Sequence, residues 1–354
     1  MSGRTRNIAV AAAALVVAAV AIALVTSGGG HGTPHTPGTT PAPPPSLPKP
    51  IRPRGPREAI KRGHGRRPDE PAPGTGALLG IADQKPASFS DPRFRSLGVR
   101  RTRLNTPWNS IFTEPGRLAA WLDAARAAGL EPLVAFEHAR SDNCPGQPCP
   151  LPPVAFYGRA VRAFHARYPW VKLIQPWNEA NSSTQPTGTH PEAAAAYYRV
   201  VTRVCPSCTV PAADLLDSTN LTRWLTGFKA ALQGPVPRLW GLHNYSDVNR
   251  FRDTGTRRLL AAVPGEVWLT ETGGIVSFVT SSGREVFPPD VERAARATRY
   301  MLALAAKFPR IKRIYVYQWK IDFPGNRFDA GLLGLDGSPR PALKVVAGKQ
   351  RLLR

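Results

Sequence analysis

Val171-Lys172-Leu173-Ile174-Gln175-Pro176-Trp177-Asn178-Glu179-Ala180-Asn181 is the stretch whose reading decides the rest. Val171-Lys172-Leu173-Ile174 reads as a buried strand, and Glu179 comes just after it. A second segment repeats the arrangement. Glu266-Val267-Trp268-Leu269 reads as a strand and leads into Thr270-Glu271-Thr272-Gly273. Each segment puts one glutamate at the carboxyl end of a strand. In a barrel of alternating strands and helices, that end is where side chains from different strands converge on one pocket.

The surrounding sequence fits such a barrel. From Thr75 onward, short apolar runs alternate with amphipathic stretches, the pattern of strand–helix units and a parallel sheet. Strands are expected at Ala77-Ile81, Val99-Leu104, Glu131-Phe136, Val171-Gln175, Thr209-Ala213, Leu239-His243, Glu266-Thr270 and Arg313-Gln318. The fifth is interrupted by Pro211. Helical patterns lie between them. Arg117 to Ala128 stops at Gly129, Val154 to Arg167 stops before Pro169, Pro191 to Val204 begins on a proline, and Pro289 to Phe308 closes before Pro309. Eight strands with intervening helices, in about 280 residues, predict an α/β fold, a (β/α)8 TIM barrel over residues 75–354. A doubly wound open sheet is the alternative. It usually carries a Gly-rich phosphate turn after its first strand, and Gly80-Ile81-Ala82-Asp83-Gln84 is not one.

Two segments precede the barrel. Arg4 and Arg6 stand before an uncharged apolar run from Ile8 to Val25, so residues 1–26 read as a signal peptide or a membrane anchor with a cytoplasmic N-terminus. Ala21-Ile22-Ala23 offers a small-residue cleavage site, but inside the apolar run, and the two readings stay open. No cysteine follows closely, which excludes a lipid-modified one there. Under either reading the remainder is extracytoplasmic, secreted or membrane-anchored. Residues 27–74 form a Pro-rich linker whose second half is basic, from Lys49 through Arg67. It is either a solvated spacer or an electrostatic tether to an anionic wall or lipid surface.

The formal net charge is +23. Part of the excess sits in the linker, and the barrel shows no nucleic-acid-reading motif, so a nucleic-acid partner is not expected. The four cysteines form two local pairs, Cys144 with Cys149 and Cys205 with Cys208. In an exported chain two short-loop disulfides are expected. The barrel reading puts the pairs on opposite faces, which argues against a shared zinc site. No metal-spaced His/Asp cluster, Gly-x-Ser-x-Gly elbow or Walker-type loop is present, so neither metal nor cofactor is expected.

Two carboxylates facing one pocket are the equipment for cleaving a glycosidic bond. Asn178-Glu179 after the fourth strand, with Glu271 at the seventh, resembles the retaining glycoside hydrolases of clan A. The resemblance runs from about Thr75 to the C-terminus. It is strengthened by His243-Asn244-Tyr245 at the sixth strand and Tyr317-Gln318-Trp319 at the eighth. The closing segment, Phe328-Asp329-Ala330-Gly331-Leu332-Leu333 and then Asp336-Gly337-Ser338-Pro339-Arg340-Pro341-Ala342, agrees with it.

The resemblance implies roles. Glu179 would be the general acid/base, in an environment that raises its pKa, and Glu271 the ionised nucleophile. Asn178 would hydrogen-bond the sugar 2-hydroxyl. Arg103, near the end of the second strand, would pair with Glu271 and keep it charged. Tyr245 or His243 would face the pocket, with Tyr245 as a donor to Glu271. Trp319 would be a stacking platform for a sugar face, or else core. Trp108 is a candidate for an outer subsite. Glu137 and His138, past the third strand, would bind substrate hydroxyls or buttress Arg103. The expected activity is hydrolysis of an O-glycosidic bond in a polysaccharide or glycoside by double displacement. A non-catalytic carbohydrate-binding or envelope-scaffold barrel and a transglycosylase are the alternatives.

Overall fold

The computed structural model describes residues 72, 74–140, 144, 148–321 and 323–348. The N-terminal apolar run, and the linker apart from Ala72 and Gly74, lie outside the described residues. Among the described residues no helix is long and apolar enough to cross a membrane.

Eight parallel strands make one sheet: β1 (Leu78–Ala82), β2 (Arg101–Pro107), β3 (Glu131–Glu137), β4 (Leu173–Gln175), β5 (Asp214–Leu216), β6 (Leu239–His243), β7 (Glu266–Thr272) and β10 (Ile311–Tyr317). Their order is β4-β3-β2-β1-β10-β7-β6-β5. The remaining seam, between β4 and β5, is closed by a single parallel bridge, Leu173 to Thr209. There the Thr209 N–H donates to Lys172 O at 2.8 Å and Thr209 O accepts from Ile174 N at 3.3 Å. Higher on the same seam, Ala180 N donates to Asp214 O at 2.8 Å. The result is the eight-stranded TIM barrel expected from the sequence.

Two short helices, α1 (Pro92–Ser96) and α2 (Ser110–Thr113), come first, and the longer helices between strands follow local chemistry. Pro115 opens α3 (Pro115–Ala127), and Gly129, at φ +67°, turns the chain back into β3. α5 (Pro191–Val204) also starts on its proline and buries Ala194, Tyr197 and Val201 on one face. Asp290 caps α9 (Val291–Lys307) by accepting from Arg293 N at 2.8 Å. α4 (Val154–Arg167), α6 (Leu221–Ala230), α8 (Thr254–Ala262) and α10 (Pro341–Ala347) complete the outer layer. Strand alternation divides the core in two. Ile81, Val134, Ile174, Leu242 and Leu269 point outward against the helices, while Leu133, Leu173, Trp268 and Tyr315 fill the interior.

The fifth strand is displaced from the expected Thr209-Ala213. Pro211 has no N–H to give; the ladder to β6 begins with Ala212 N donating to Leu239 O at 2.9 Å, and the strand itself spans Asp214–Leu216, in register with Gly241–His243. This shift carries Asp214 into the barrel. Beyond β7, strands β8 (Ser277–Val279) and β9 (Glu285–Phe287) pair antiparallel with each other, and β8 also pairs with β11 (Phe328–Asp329). This small sheet brings Phe278 and Phe328 together at 5.7 Å, beside the carboxyl ends of β7 and β10.

Candidate active site

Glu179 and Glu271 meet at the carboxyl end of the barrel. One carboxylate oxygen of each lies within 4.8 Å of the other, and His243 Nδ1 or Nε2 lies within the same radius. Different backbone devices aim the two side chains. Glu179 sits in the turn after β4 at φ +45°, a conformation that non-glycine residues rarely adopt and that costs about 1–3 kcal/mol. The turn is pinned on both sides. Asn178 N donates to Phe136 O at 2.6 Å and Ala180 N to Asp214 O at 2.8 Å. Asn181 then clamps it to β5: its Oδ1 accepts from Leu216 N at 2.8 Å and its Nδ2 donates to Leu216 O at 3.1 Å.

Glu271 lies within β7, where the register slips. Gly241 and His243 of β6 oppose Trp268 and Glu271, so β7 carries one extra residue there. Such a bulge lets two successive side chains face the same way. Thr270 and Glu271 both reach inward, Thr270 donating its hydroxyl to Asp214 Oδ1.

Beneath the glutamates lies a buried polar layer. Arg103, on β2, is 0 % exposed and uses all three nitrogens of its guanidinium. Nη1 donates to Glu271 Oε2 at 2.8 Å, Nη2 to Asp214 Oδ2 at 2.7 Å and to Asn178 Oδ1 at 2.5 Å, and Nε to Gln175 Oε1 at 3.1 Å. Tyr245, in α7 (Tyr245–Asn249), donates to Glu271 Oε1 at 3.0 Å. His243 Nδ1 stands 3.0 Å from Glu179 Oε1, and Nε2 3.0 Å from Asp214 Oδ2. Gly241 makes room for this layer. A Cβ there would stand 2.5 Å from Asp214 Oδ1 and 2.6 Å from Gln175 Nε2.

The electrostatics follow from the pairing. Burial opposes a charge on His243, but Asp214 and Glu271 outweigh it and raise its pKa to about 10. Both ring nitrogens therefore carry protons at neutral pH, and both donate. Burial likewise opposes ionisation of Asp214, but His243 and Arg103 hold it below the ordinary carboxylate value. Despite burial, Asp214 and Glu271 keep Arg103 firmly cationic. Burial, then the charge of Glu271, pushes the Tyr245 phenol up, so it remains a donor.

The other expected residues fall in three places. Asn178 joins the polar layer through Oδ1, and among the described residues its Nδ2 meets no acceptor. Glu137 and His138 stand near the rim but apart from Arg103. Glu137 Oε2 accepts from Asn105 Nδ2 at 2.6 Å, so the expected buttress to Arg103 is replaced by one to Asn105. His138 Nδ1 faces Ala139 O at 2.6 Å and Cys149 Sγ at 3.1 Å. Trp108 is half-buried, 6.4 Å from the Tyr157 ring. Trp319 corrects the expectation of a sugar platform. It is 1 % exposed, stands edge-on to Phe94 at 5.3 Å and donates Nε1 to Asp91 Oδ2 at 3.3 Å, so no face is open to a ligand. Tyr317, two residues earlier, sits in the interior cluster with Tyr245 and lies 6.1 Å from Phe328.

Sequence reasoning missed Asp214, Gln175 and Thr270 as members of the site, and gave Asn181 no role. The signal for Asp214 was inward alternation on β5, which becomes readable only once the strand is placed correctly.

Both disulfides form as expected, Cys144–Cys149 and Cys205–Cys208. Each pair stands near a histidine, His138 and His165 respectively, at metal-ligand distance. Oxidation of the cysteines removes the thiolates that a metal would need at these clusters. Glu179, His243 and Glu271 form a third such cluster, but these three are bonded to Asp214, Arg103 and one another.

No family model and no curated protein matches the chain. Solved structures do. The GH39 enzyme from Xanthomonas axonopodis pv. citri is 16% identical, over 82% of this chain and 71% of that one, with a TM-score of 0.55. GH5_18 from Streptomyces cattleya, solved in complex with GlcNAc, is 19% identical over 77% and 79%, with a TM-score of 0.52. A GH10 endoxylanase from a sugarcane soil metagenome is 14% identical over 77% and 96%, with a TM-score of 0.54. These structural neighbours are clan A glycoside hydrolases, and what this chain shares with them at such identities is the TIM-barrel fold.

Proposed function

We propose that this chain is an exported, retaining glycoside hydrolase that cleaves O-glycosidic bonds in an extracellular or cell-wall polysaccharide. The observation that carries the reading is the glutamate pair. One oxygen of Glu179 and one of Glu271 lie within 4.8 Å of each other, so the two carboxyls face one another across a single site, the close approach expected of a retaining pair at about 5–5.5 Å. The barrel shared with glycoside hydrolases supports it. The two disulfides and the apolar N-terminal run support export, with the protein secreted or membrane-anchored.

The surrounding groups fit the two steps. Glu271, held by Arg103 and Tyr245, attacks the anomeric carbon while the glycosidic C–O bond breaks and Glu179 gives its proton to the departing oxygen. Glu179 Oε1 already accepts from His243, so Oε2 is the oxygen that carries the transferable proton. Two cations, Arg103 and His243, match two anions, Asp214 and Glu271, and the cluster is electrically balanced when Glu179 holds that proton. Water then attacks the glycosyl ester, Glu179 takes its proton, and Glu271 leaves as carboxylate. Asn178 Nδ2 is the group available to the sugar 2-hydroxyl.

The test is to incubate the full-length protein with a panel of activated fluorosugars, then measure intact mass and map peptides. A glycosyl adduct on Glu271 is the expected result and would also name the sugar. An adduct on another residue, or turnover with inversion at the anomeric carbon, would overturn the assignment.

A further inference from the structure

Resting on that glycosidase reading, we infer that Asp214 is the positioning residue that couples the two glutamates, so that one buried carboxylate sets the geometry of both halves of the reaction.

A single chain of polar contacts runs from Glu179 to Glu271: Glu179 Oε1 to His243 Nδ1 at 3.0 Å, His243 Nε2 to Asp214 Oδ2 at 3.0 Å, Asp214 Oδ2 to Arg103 Nη2 at 2.7 Å, and Arg103 Nη1 to Glu271 Oε2 at 2.8 Å. Asp214 is its midpoint. It also holds the residue next to each glutamate. Its main-chain oxygen accepts from Ala180 N at 2.8 Å, and its Oδ1 accepts from the Thr270 hydroxyl. Three of these side chains, Arg103, Asp214 and His243, are 0 % exposed, so no water can replace a lost partner without rearrangement. Neither side chain of the Arg103–His243 pair contacts the other directly; Asp214 is what orients them together.

Removing the Asp214 charge therefore acts on both cations. Arg103 retains Glu271 as a counter-ion but loses the bond that fixes its other nitrogen. His243 loses the anion at its Nε2. The titratable groups that face His243 are Glu179 from the turn after β4, Asp214 from β5, Glu271 from β7 and Tyr245 from α7, with Arg103 of β2 behind Asp214. Without Asp214, the burial that already opposes the imidazolium is countered only by the glutamates. His243 then loses a proton at lower pH, and with it one of its two donated bonds.

Two measurements test this. In Asp214→Asn, kcat on an activated glycoside should fall by about 100-fold with KM within about 3-fold, the loss expected of misplaced reacting groups. Its pH–rate profile should gain a limb between pH 6.5 and 9 that the parent lacks. Separately, nitrogen NMR of histidine-labelled full-length protein, with His243 assigned by difference from His243→Gln, should show both ring nitrogens protonated at pH 8. A variant profile that superimposes on the parent, or a neutral His243 at pH 8 in the parent, would overturn the inference. If Asp214→Asn does not fold, the parent NMR titration decides alone. If the parent turns over no glycoside, the glycosidase reading fails, while the NMR result still decides whether Asp214 holds His243 as an imidazolium.

Discussion

The two glutamates are delivered to the same few ångströms by opposite means. Glu179 is held by its backbone. Its left-handed turn is fixed by the main-chain bonds of Asn178 and Ala180 and by the Asn181 clamp, and among the described residues only His243 reaches its carboxylate. Glu271 is held by its side chain. The β7 bulge points it inward, and Arg103 and Tyr245 each take one of its oxygens. The difference suits the proposed roles. A nucleophile must keep its charge and its aim, which two donors supply. A group that gives and recovers a proton keeps one oxygen unencumbered.

Substitutions at the two sites should separate these devices. The largest effect is expected for Glu271→Gln, which removes the attacking oxygen's charge: turnover of every glycoside should fall by about 10⁴-fold or more, measured as initial rates. Glu179→Ala should cost about 10²–10⁴-fold on substrates with poor leaving groups and far less on activated aryl glycosides, which need little protonation. Equal losses on both substrate types would show that Glu179 is not the acid.

Smaller changes test how each glutamate is held. Tyr245→Phe removes one of the two donors that aim Glu271 and should lower kcat/KM by about 10- to 100-fold, while costing less in the denaturation midpoint than Asn181→Ala because Glu271 keeps its bond to Arg103. Asn181→Ala leaves the Leu216 N–H and C=O without their partner. It should cost about 1–3 kcal/mol of stability in denaturant titration, and rate only as the Glu179 turn loosens. A stability loss at Tyr245 and none at Asn181 would invert the distinction between side-chain and backbone support.

The most gradual effect is in pH dependence. His243 keeps its proton to about pH 10 in the folded protein, whereas an unfolded histidine releases it near 6.5. The folded state binds the extra proton between these values. Its contribution is fully present below pH 6.5 and is lost as pH rises toward 10, by at most about 1.4 kcal/mol per pH unit. His243→Gln should flatten that part of the stability–pH curve, as followed by thermal unfolding.

Much of this site was legible before any coordinates. Apolar runs and helix stops gave seven of the barrel strands closely, because a buried parallel strand must be apolar and a helix must end at glycine or before proline. Strand order put Asn178, Glu179, Glu271, Arg103, His243 and Tyr245 near the carboxyl ends of strands, and the resemblance to clan A glycoside hydrolases gave them their expected roles. The fifth strand was not legible. Its three paired residues are too few to show a period, and the more apolar stretch before it, broken by Pro211, drew the assignment. Asp214 was hidden with it. Trp319 was misread because aromatic character does not tell a ring under a sugar from a ring against Phe94.

The sequence by itself determined the barrel, the number and polarity of its strands, the two disulfide pairs and which end carries the glutamates. These follow from periodicity, turn chemistry and spacing, all local along the chain. Only the tertiary structure decided that Glu179 and Glu271 come within 4.8 Å, that a bulge turns Glu271 inward, and that Asp214 joins Arg103 to His243. Those contacts link residues far apart in the chain across a closed sheet. Their energy depends on burial and on partners that no local pattern specifies.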